Sequence, residues 1–250
     1  MIDATAMPLA GHCILITGAA RRLGAAIARR LHAGGASVGL HHRSSAAEVA
    51  SLAASLNTVR ADSAASFACD LLDLDALPRL VKAVTARFGR LDALVNNASS
   101  FYATPVGSIT PVQFDDLVGT NLRAPLFLAQ AAAPALRETR GLILNMADIH
   151  GQRPLRNYPV YSAAKAGLIM LTKSLARDLG PEIRVNAIAP GPVLWPEGGL
   201  AAELRREIVG KTALGRCGSP DDIAGAAWYF VAEAPFVTGQ VLAVDGGRGL

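Results

Sequence analysis

Short apolar runs alternate with helix-length stretches along the whole chain, and this alternation constrains the fold more than any other feature. The runs are Cys13–Thr17, Ser37–His41, Ala65–Asp70, Ala93–Asn97, Gly141–Met146, Ile183–Ala189 and Val241–Asp245. Each reads as a strand. Between them, Ala25–Ala33, Ala46–Leu56, Ala76–Phe88, Pro111–Leu136, Tyr158–Leu179 and Asp221–Ala232 have helical spacing. Several runs are apolar on both alternating sets, as in Ile14-Leu15-Ile16 and Ile143-Leu144. A strand with no polar face is covered on both sides, as in a parallel sheet between two helix layers. Strand, helix, strand repeated this often predicts an α/β, Rossmann-type doubly wound parallel sheet of about seven strands. No linker, low-complexity block or repeat interrupts it, so residues 1–250 read as a single domain.

Other classes are excluded by composition. With 51% apolar residues the chain is not mainly disordered. No apolar run reaches the ~18 residues of a membrane span, so no membrane association is expected. The first ten residues, MIDATAMPLA, have an acid and no basic stretch before an apolar core. They read as a short frayed lead-in and not as a signal peptide. Cys13, Cys69 and Cys217 stand far apart, with neither disulfide-framework nor metal-ligand spacing. A cytoplasmic protein without a metal is expected. The net charge of +4 is mild, and the Arg21–Arg22, Arg29–Arg30 and Arg205–Arg206 pairs read as solvated helix faces or as a local basic patch for a small anionic ligand, between which composition does not choose. Without a basic stripe and stacking aromatics, no nucleic-acid partner is expected.

The first strand runs straight into Thr17-Gly18-Ala19-Ala20-Arg21-Arg22-Leu23-Gly24 and then an alanine-rich helix. Gly18 permits a tight turn, Gly24 permits close helix–sheet packing, and free amides at a helix start suit a pyrophosphate. The second strand ends in His41-His42-Arg43-Ser44, where an NAD-preferring site carries a carboxylate for the ribose hydroxyl. No acid occurs until Glu48. Arg43, Ser44 and His42 offer donors to a 2′-phosphate instead, which predicts NADPH over NADH. The irregular stretch 192–211, with Pro192, Pro196, Gly198 and Gly199 and a short helical piece from Ala201 to Val209, reads as a lid over the crevice. Leu194 and Trp195 are its candidate pocket residues.

Tyr161 and Lys165 stand four apart in a predicted helix and so share one face. They follow a strand that ends in Ala147-Asp148. With these residues the chain resembles a short-chain dehydrogenase/reductase over nearly its whole length. The further matching pieces are Cys69-Asp70-Leu71, Asn96-Asn97-Ala98, Asn121, Arg184-Val185-Asn186, Pro190-Gly191 and Val244-Asp245-Gly246-Gly247. Three departures from the ordinary pattern are similar to pteridine reductases. Arg22 stands where the motif has glycine, and Asp148 stands where the active site has serine. Ser99-Ser100-Phe101-Tyr102 follows Asn96-Asn97-Ala98 in place of the usual glycine.

The resemblance implies an NADPH-dependent reductase of pterins or folates, assembled as a homotetramer. Its catalytic residues would be Asp148, Tyr161, Lys165 and Asn121. The cofactor would lie against Gly18, Arg22, Leu23, His42, Arg43, Ser44, Asp70, Leu71, Asn96, Ala98, Pro190 and Gly191, with Tyr161 and Lys165. The substrate would meet Arg22, Ser99, Phe101, Asp148 and Tyr161, with the Phe101 ring stacked on a flat pterin. Tyr161 would act as the acid, its phenol lowered by the neighbouring Lys165 ammonium. Asn121 would order a water near Lys165. Arg248 and His150 lie near these segments, and Arg248 is a candidate to approach a neighbouring subunit's site. A carboxyl at 148 pairs with pterin amino and ring N–H groups, or relays a proton to a ring nitrogen, whereas a serine would polarise a ketone. Two alternatives stay open: a short-chain reductase of another carbonyl, and a non-catalytic NADPH-binding sensor.

Overall fold

The computed structural model describes residues 7–195 and 198–250. Residues 1–6 of the lead-in and Pro196 of the lid lie outside the described residues. From Leu9 onward the lead-in is tied down: Leu9 is buried and its N–H donates to the Gly34 carbonyl.

All seven strands form one parallel sheet in the order β3-β2-β1-β4-β5-β6-β7. They are β1 (Cys13–Ile16), β2 (Ser37–His42), β3 (Ala64–Ala68), β4 (Ala93–Asn96), β5 (Leu142–Met146), β6 (Arg184–Pro190) and β7 (Val241–Val244). Alternation along each strand feeds two cores. Ile14 and Ile16 of β1 pack on one face, Cys13 and Leu15 on the other. The first face is covered by α1 (Arg22–Ala33), α2 (Ala46–Val59) and α8 (Pro220–Trp228), the second by α3 (Ala76–Phe88) and α5 (Ala124–Thr139). Fully burying each such Ile or Leu contributes about 1.5–3 kcal/mol, which explains the absence of a polar face on β1 and β5. The remaining helices are α4 (Pro111–Val118), α6 (Pro159–Asp178) and α7 (Ala202–Gly210).

Differences from the sequence expectations have local causes. The third strand ends at Ala68, leaving Cys69 and Asp70 in the loop beyond it. The helix expected over 111–136 is interrupted by a π turn, Gly119–Arg123, between α4 and α5. A second π turn, Tyr229–Glu233, follows α8. Periodicity does not register a single inserted residue of this kind. Helix starts carry clear signals: Thr110 with Gln113 and Ser219 with Asp222 form capping boxes, each with proline in the first turn.

The chain winds to one side of β1 through β2 and β3, then crosses to β4 on its other side. A crevice opens at the carboxyl ends of β1 and β4, where the winding reverses. Gly24 closes the base of this crevice. A Cβ there would fall on the Gly18 carbonyl oxygen and 2.7 Å from Asn97 Nδ2. Gly24→Ala is therefore expected to cost about 1–3 kcal/mol, read as a Tm roughly 3–10 °C lower by calorimetry. An unchanged Tm would show that helix α1 does not sit this close to the turn.

Candidate active site

The turn after β1 is held from both sides. Gly18 takes φ +61°, and a Cβ there would lie 2.9 Å from Ala98 Cα. On the β4 side, Thr17 Oγ1 accepts from the N–H groups of Asn97 and Ala98 at 2.9 and 3.0 Å. Asn97 Nδ2 donates back to the Thr17 and Gly18 carbonyls at 2.8 and 3.0 Å. On the β2 side, the Gly18 N–H donates to His41 Nδ1 at 3.1 Å. His41 and Asn97 are residues whose part in the site the sequence does not announce.

A cleft of about 400 Å³ opens above this turn. It brings together Gly18, Arg22, Leu23, His42, Arg43, Ser44, Asp70, Leu71, Ala98 and Ser99 of the expected set. Asn96 does not line it. As the last residue of β4 it is turned into the sheet, where its Nδ2 donates to Asn145 Oδ1 at 2.9 Å, and Asn97 takes the cleft position. Pro190 and Gly191 lie at the end of β6, with Gly191 against Asp245, and are not part of this cleft lining either. No carboxylate ends β2. Glu48, in α2, pairs with Arg21 at 3.8 Å. His42 is buried, and its Nδ1 has no protein partner. Arg22 adopts φ +54° where the ordinary motif has glycine, a strained setting for a side chain. Its guanidinium donates to the Trp195 carbonyl at 3.3 Å, joining the turn to the segment after β6.

Beside the cleft, the buried Tyr161 hydroxyl donates to Asp148 Oδ2 at 2.7 Å. Asp148 Oδ1 accepts from the His150 N–H at 2.8 Å and caps the short turn Ile149–Gly151. One carboxylate thus both caps the loop and holds the phenol. His150 turns its ring toward the Arg153 carbonyl. Lys165 is buried, with Nζ donating to the Met146 carbonyl at 2.7 Å and standing 5.6 Å from the centre of the Tyr161 ring. The expected lowering of the phenol is reversed here. Burial first, then the Asp148 carboxylate, pushes Tyr161 well above the ordinary phenol value, and a Ser99 hydrogen bond only partly offsets this. Burial pulls Lys165 down to about 8 against the opposing attraction of Asp148.

Asn121 sits in the π turn and is bonded to the loop after β4. Its Oδ1 accepts from Ser99 Oγ at 2.7 Å, and its Nδ2 donates to the Ser100 and Leu117 carbonyls, both at 2.9 Å. Its side chain meets the loop after β4 and not Lys165. The same loop is anchored by Tyr102, whose hydroxyl donates to Asp116 Oδ2 at 2.9 Å. Phe101 stacks on Tyr158 at 4.7 Å and meets Tyr161 edge-on at 4.8 Å, while staying half-exposed. Tyr158 is a further site residue without a sequence signal beyond its place at the head of α6. In the lid, Arg205 lies over the Trp195 ring, and Arg248 donates to the Ile208 carbonyl of its own chain. Among the described residues no cluster of three or more His, Cys, Asp or Glu is placed to hold a metal ion. No described helix is long and apolar enough to cross a membrane.

Comparison with known proteins gives concordant matches. A family model described as enoyl-(acyl carrier protein) reductase matches residues 18–248. Pteridine reductase 1 of Leishmania tarentolae is 35% identical, over 94% of this chain and 96% of its own. A 3-oxoacyl-(acyl carrier protein) reductase of Staphylococcus aureus is 33% identical, over 93% and 96%. Galactitol 2-dehydrogenase of Agrobacterium fabrum is 34% identical, over 97% and 99%. Among solved structures, a blue fluorescent protein from a metagenomic library in complex with NADPH superposes with TM-score 0.91. It is 32% identical and covers 97% of this chain and 100% of its own.

The buried lysine makes a pH prediction. Its folded pKa of about 8 lies below the unfolded value of ~10.4, so in that window the unfolded chain binds more protons. Stability from this group therefore rises with pH between the two values and carries its full penalty below about 8. In urea unfolding, wild type should gain about 3 kcal/mol more than Lys165→Met across that window. Equal pH slopes in the two proteins would show that Lys165 is not held near neutrality by burial.

Proposed function

The chain belongs to the short-chain dehydrogenase/reductase superfamily, and on that premise we propose that it is an NADPH-dependent reductase of pterins. The substrate class is a dihydropterin or folate, such as dihydrobiopterin, dihydromonapterin or dihydrofolate, with hydride delivered to a ring carbon and a proton to a ring nitrogen. One observation carries this reading: a carboxylate, Asp148, bonds the Tyr161 hydroxyl at the position where the ordinary active site has serine. The reading further takes the enzyme to be a cytoplasmic homotetramer, supported by exposed Val112 and Phe114 on α4 and Met170 on α6.

The cleft suits NADPH. Gly18 leaves room that a side chain would fill against Ala98. Arg22, Arg43 and Ser44 offer donors around it. The lack of a carboxylate at the end of β2 favours a 2′-phosphate over a free hydroxyl. When bound, the cofactor supplies the hydride. Gly18, Leu23 and Ala98 would hold its nucleotide half, and Arg43 and Ser44 its 2′-phosphate.

The rest of the chemistry falls to the chain. The buried Tyr161 hydroxyl keeps its proton and donates it to Asp148, so it is the group that would pass a proton to a ring nitrogen placed against it. Lys165, brought down to about 8, exchanges its proton near neutral pH and serves as the reserve behind the pair. Phe101 is half-exposed and would offer its ring to a flat heteroaromatic. Arg22 reaches from the turn to the Trp195 carbonyl.

A second reading, reduction of another carbonyl, is favoured by the 3-oxoacyl and galactitol enzymes among the relatives. NADPH consumption with dihydrobiopterin, dihydrofolate, a 3-oxoacyl thioester and a plain ketone separates the two. Turnover is expected with a dihydropterin and should fall by roughly 10²–10⁴-fold in Tyr161→Phe. Turnover confined to the thioester or the ketone would replace the pterin reading with the second.

A further inference from the structure

We propose that His41 is the positioning residue of the cofactor cleft, one buried imidazole fastening together the three loops on which NADPH lies. The inference rests on the NADPH reading above. The turn after β1 is bound to His41 twice. The Ala19 N–H donates to its main-chain carbonyl at 2.9 Å, and the Gly18 N–H donates to its Nδ1 at 3.1 Å. Its Nε2 meets the Cys69 carbonyl at 3.0 Å, one residue before Asp70. The third loop, Arg43 to Ser45, follows His42, the strand residue next to His41. Gly18, His42 and Asp70 all line the cleft, so its three walls converge on this ring.

The partners determine the state of the imidazole. An amide N–H can only donate, so Nδ1 is unprotonated. A carbonyl can only accept, so the proton is on Nε2. Protonating Nδ1 would set two donors against each other at Gly18. Burial, the largest influence, and the neighbouring His42 hold the ring down at about 4, against the upward pull of the Cys69 carbonyl and Asp70. The acceptor is therefore present throughout the neutral range. Losing it leaves the Gly18 N–H without its partner in the turn whose φ of +61° shapes the floor of the site.

Two variants divide the clamp. In His41→Asn the amide oxygen falls near the place of Nδ1 and still accepts from Gly18, but nothing reaches Cys69. In His41→Gln the longer amide reaches toward Cys69 and leaves Gly18 without an acceptor. NADPH affinity, read from the fluorescence of the bound nucleotide, is measured beside Tm for each protein. His41→Gln should weaken binding about tenfold and His41→Asn less than about threefold, whatever each loses in Tm. Equal affinities in the two variants, with Tm lowered, would make His41 merely structural and overturn the proposal. Wild type that binds no NADPH would overturn the NADPH reading itself, and the proposal with it. In the unaltered protein, nitrogen-15 NMR of labelled histidine should show His41 as the Nε2–H tautomer at neutral pH. An Nδ1–H tautomer or an imidazolium would overturn the proposal even if the Gln variant failed to fold.

Discussion

The hydrogen bond from the Tyr161 hydroxyl to Asp148 fastens the end of β5 to the first turns of α6, and two further polar contacts extend the same seam. Lys165 donates to the Met146 carbonyl one turn later, and Asn145 Nδ2 donates to Thr172 Oγ1 deeper in the core. Residues 161, 165 and 172 recur on one helical face, so a single face of α6 meets β5 through polar bonds set among apolar neighbours. The Lys165 and Asn145 bonds lie away from water, where a partner left unpaired costs more than an exposed one gains. The position of the Asp148–Tyr161 pair is thus a consequence of how α6 is docked.

Substituting a carboxylate for a serine changes this seam in kind. Asp148 has two oxygens, one spent on the His150 N–H and the other on the phenol. A serine hydroxyl presents a single oxygen to both tasks. The electrostatics expected around Tyr161 are also reversed: the lysine is turned to a backbone carbonyl, and burial, joined by the nearer carboxylate, keeps the phenol protonated. On the proposed reading, the pair holds a proton for a basic ring nitrogen, whereas a serine would polarise a ketone oxygen.

The fold was legible because burial on both faces writes itself into composition: β1 and β5 are apolar at nearly every position, and the sheet order follows from parallel winding. The glycine turn, the end of β2 and the Tyr161–Lys165 face were legible because each depends on local spacing. What escaped depends on contacts across the sheet. Asn96 and Asn97 are adjacent and chemically identical, and only strand alternation at the end of β4 decides which faces the cleft. His41 looks like a strand residue until Gly18 and Cys69, distant in sequence, are brought against it. The π turn that carries Asn121 leaves no periodic trace within a long helical stretch. The direction of the Tyr161 shift likewise needed the distance to Asp148, not the spacing to Lys165.

The account stands on Asp148 as the residue that selects the substrate class. Its most direct measurement is kcat/KM for a dihydropterin and for a plain ketone in wild type and in Asp148→Ser, with NADPH binding followed in both. The account predicts that the serine variant still binds NADPH, loses dihydropterin turnover by about 10²-fold or more, and moves its preference toward the ketone. Dihydropterin turnover undiminished by the serine would contradict it.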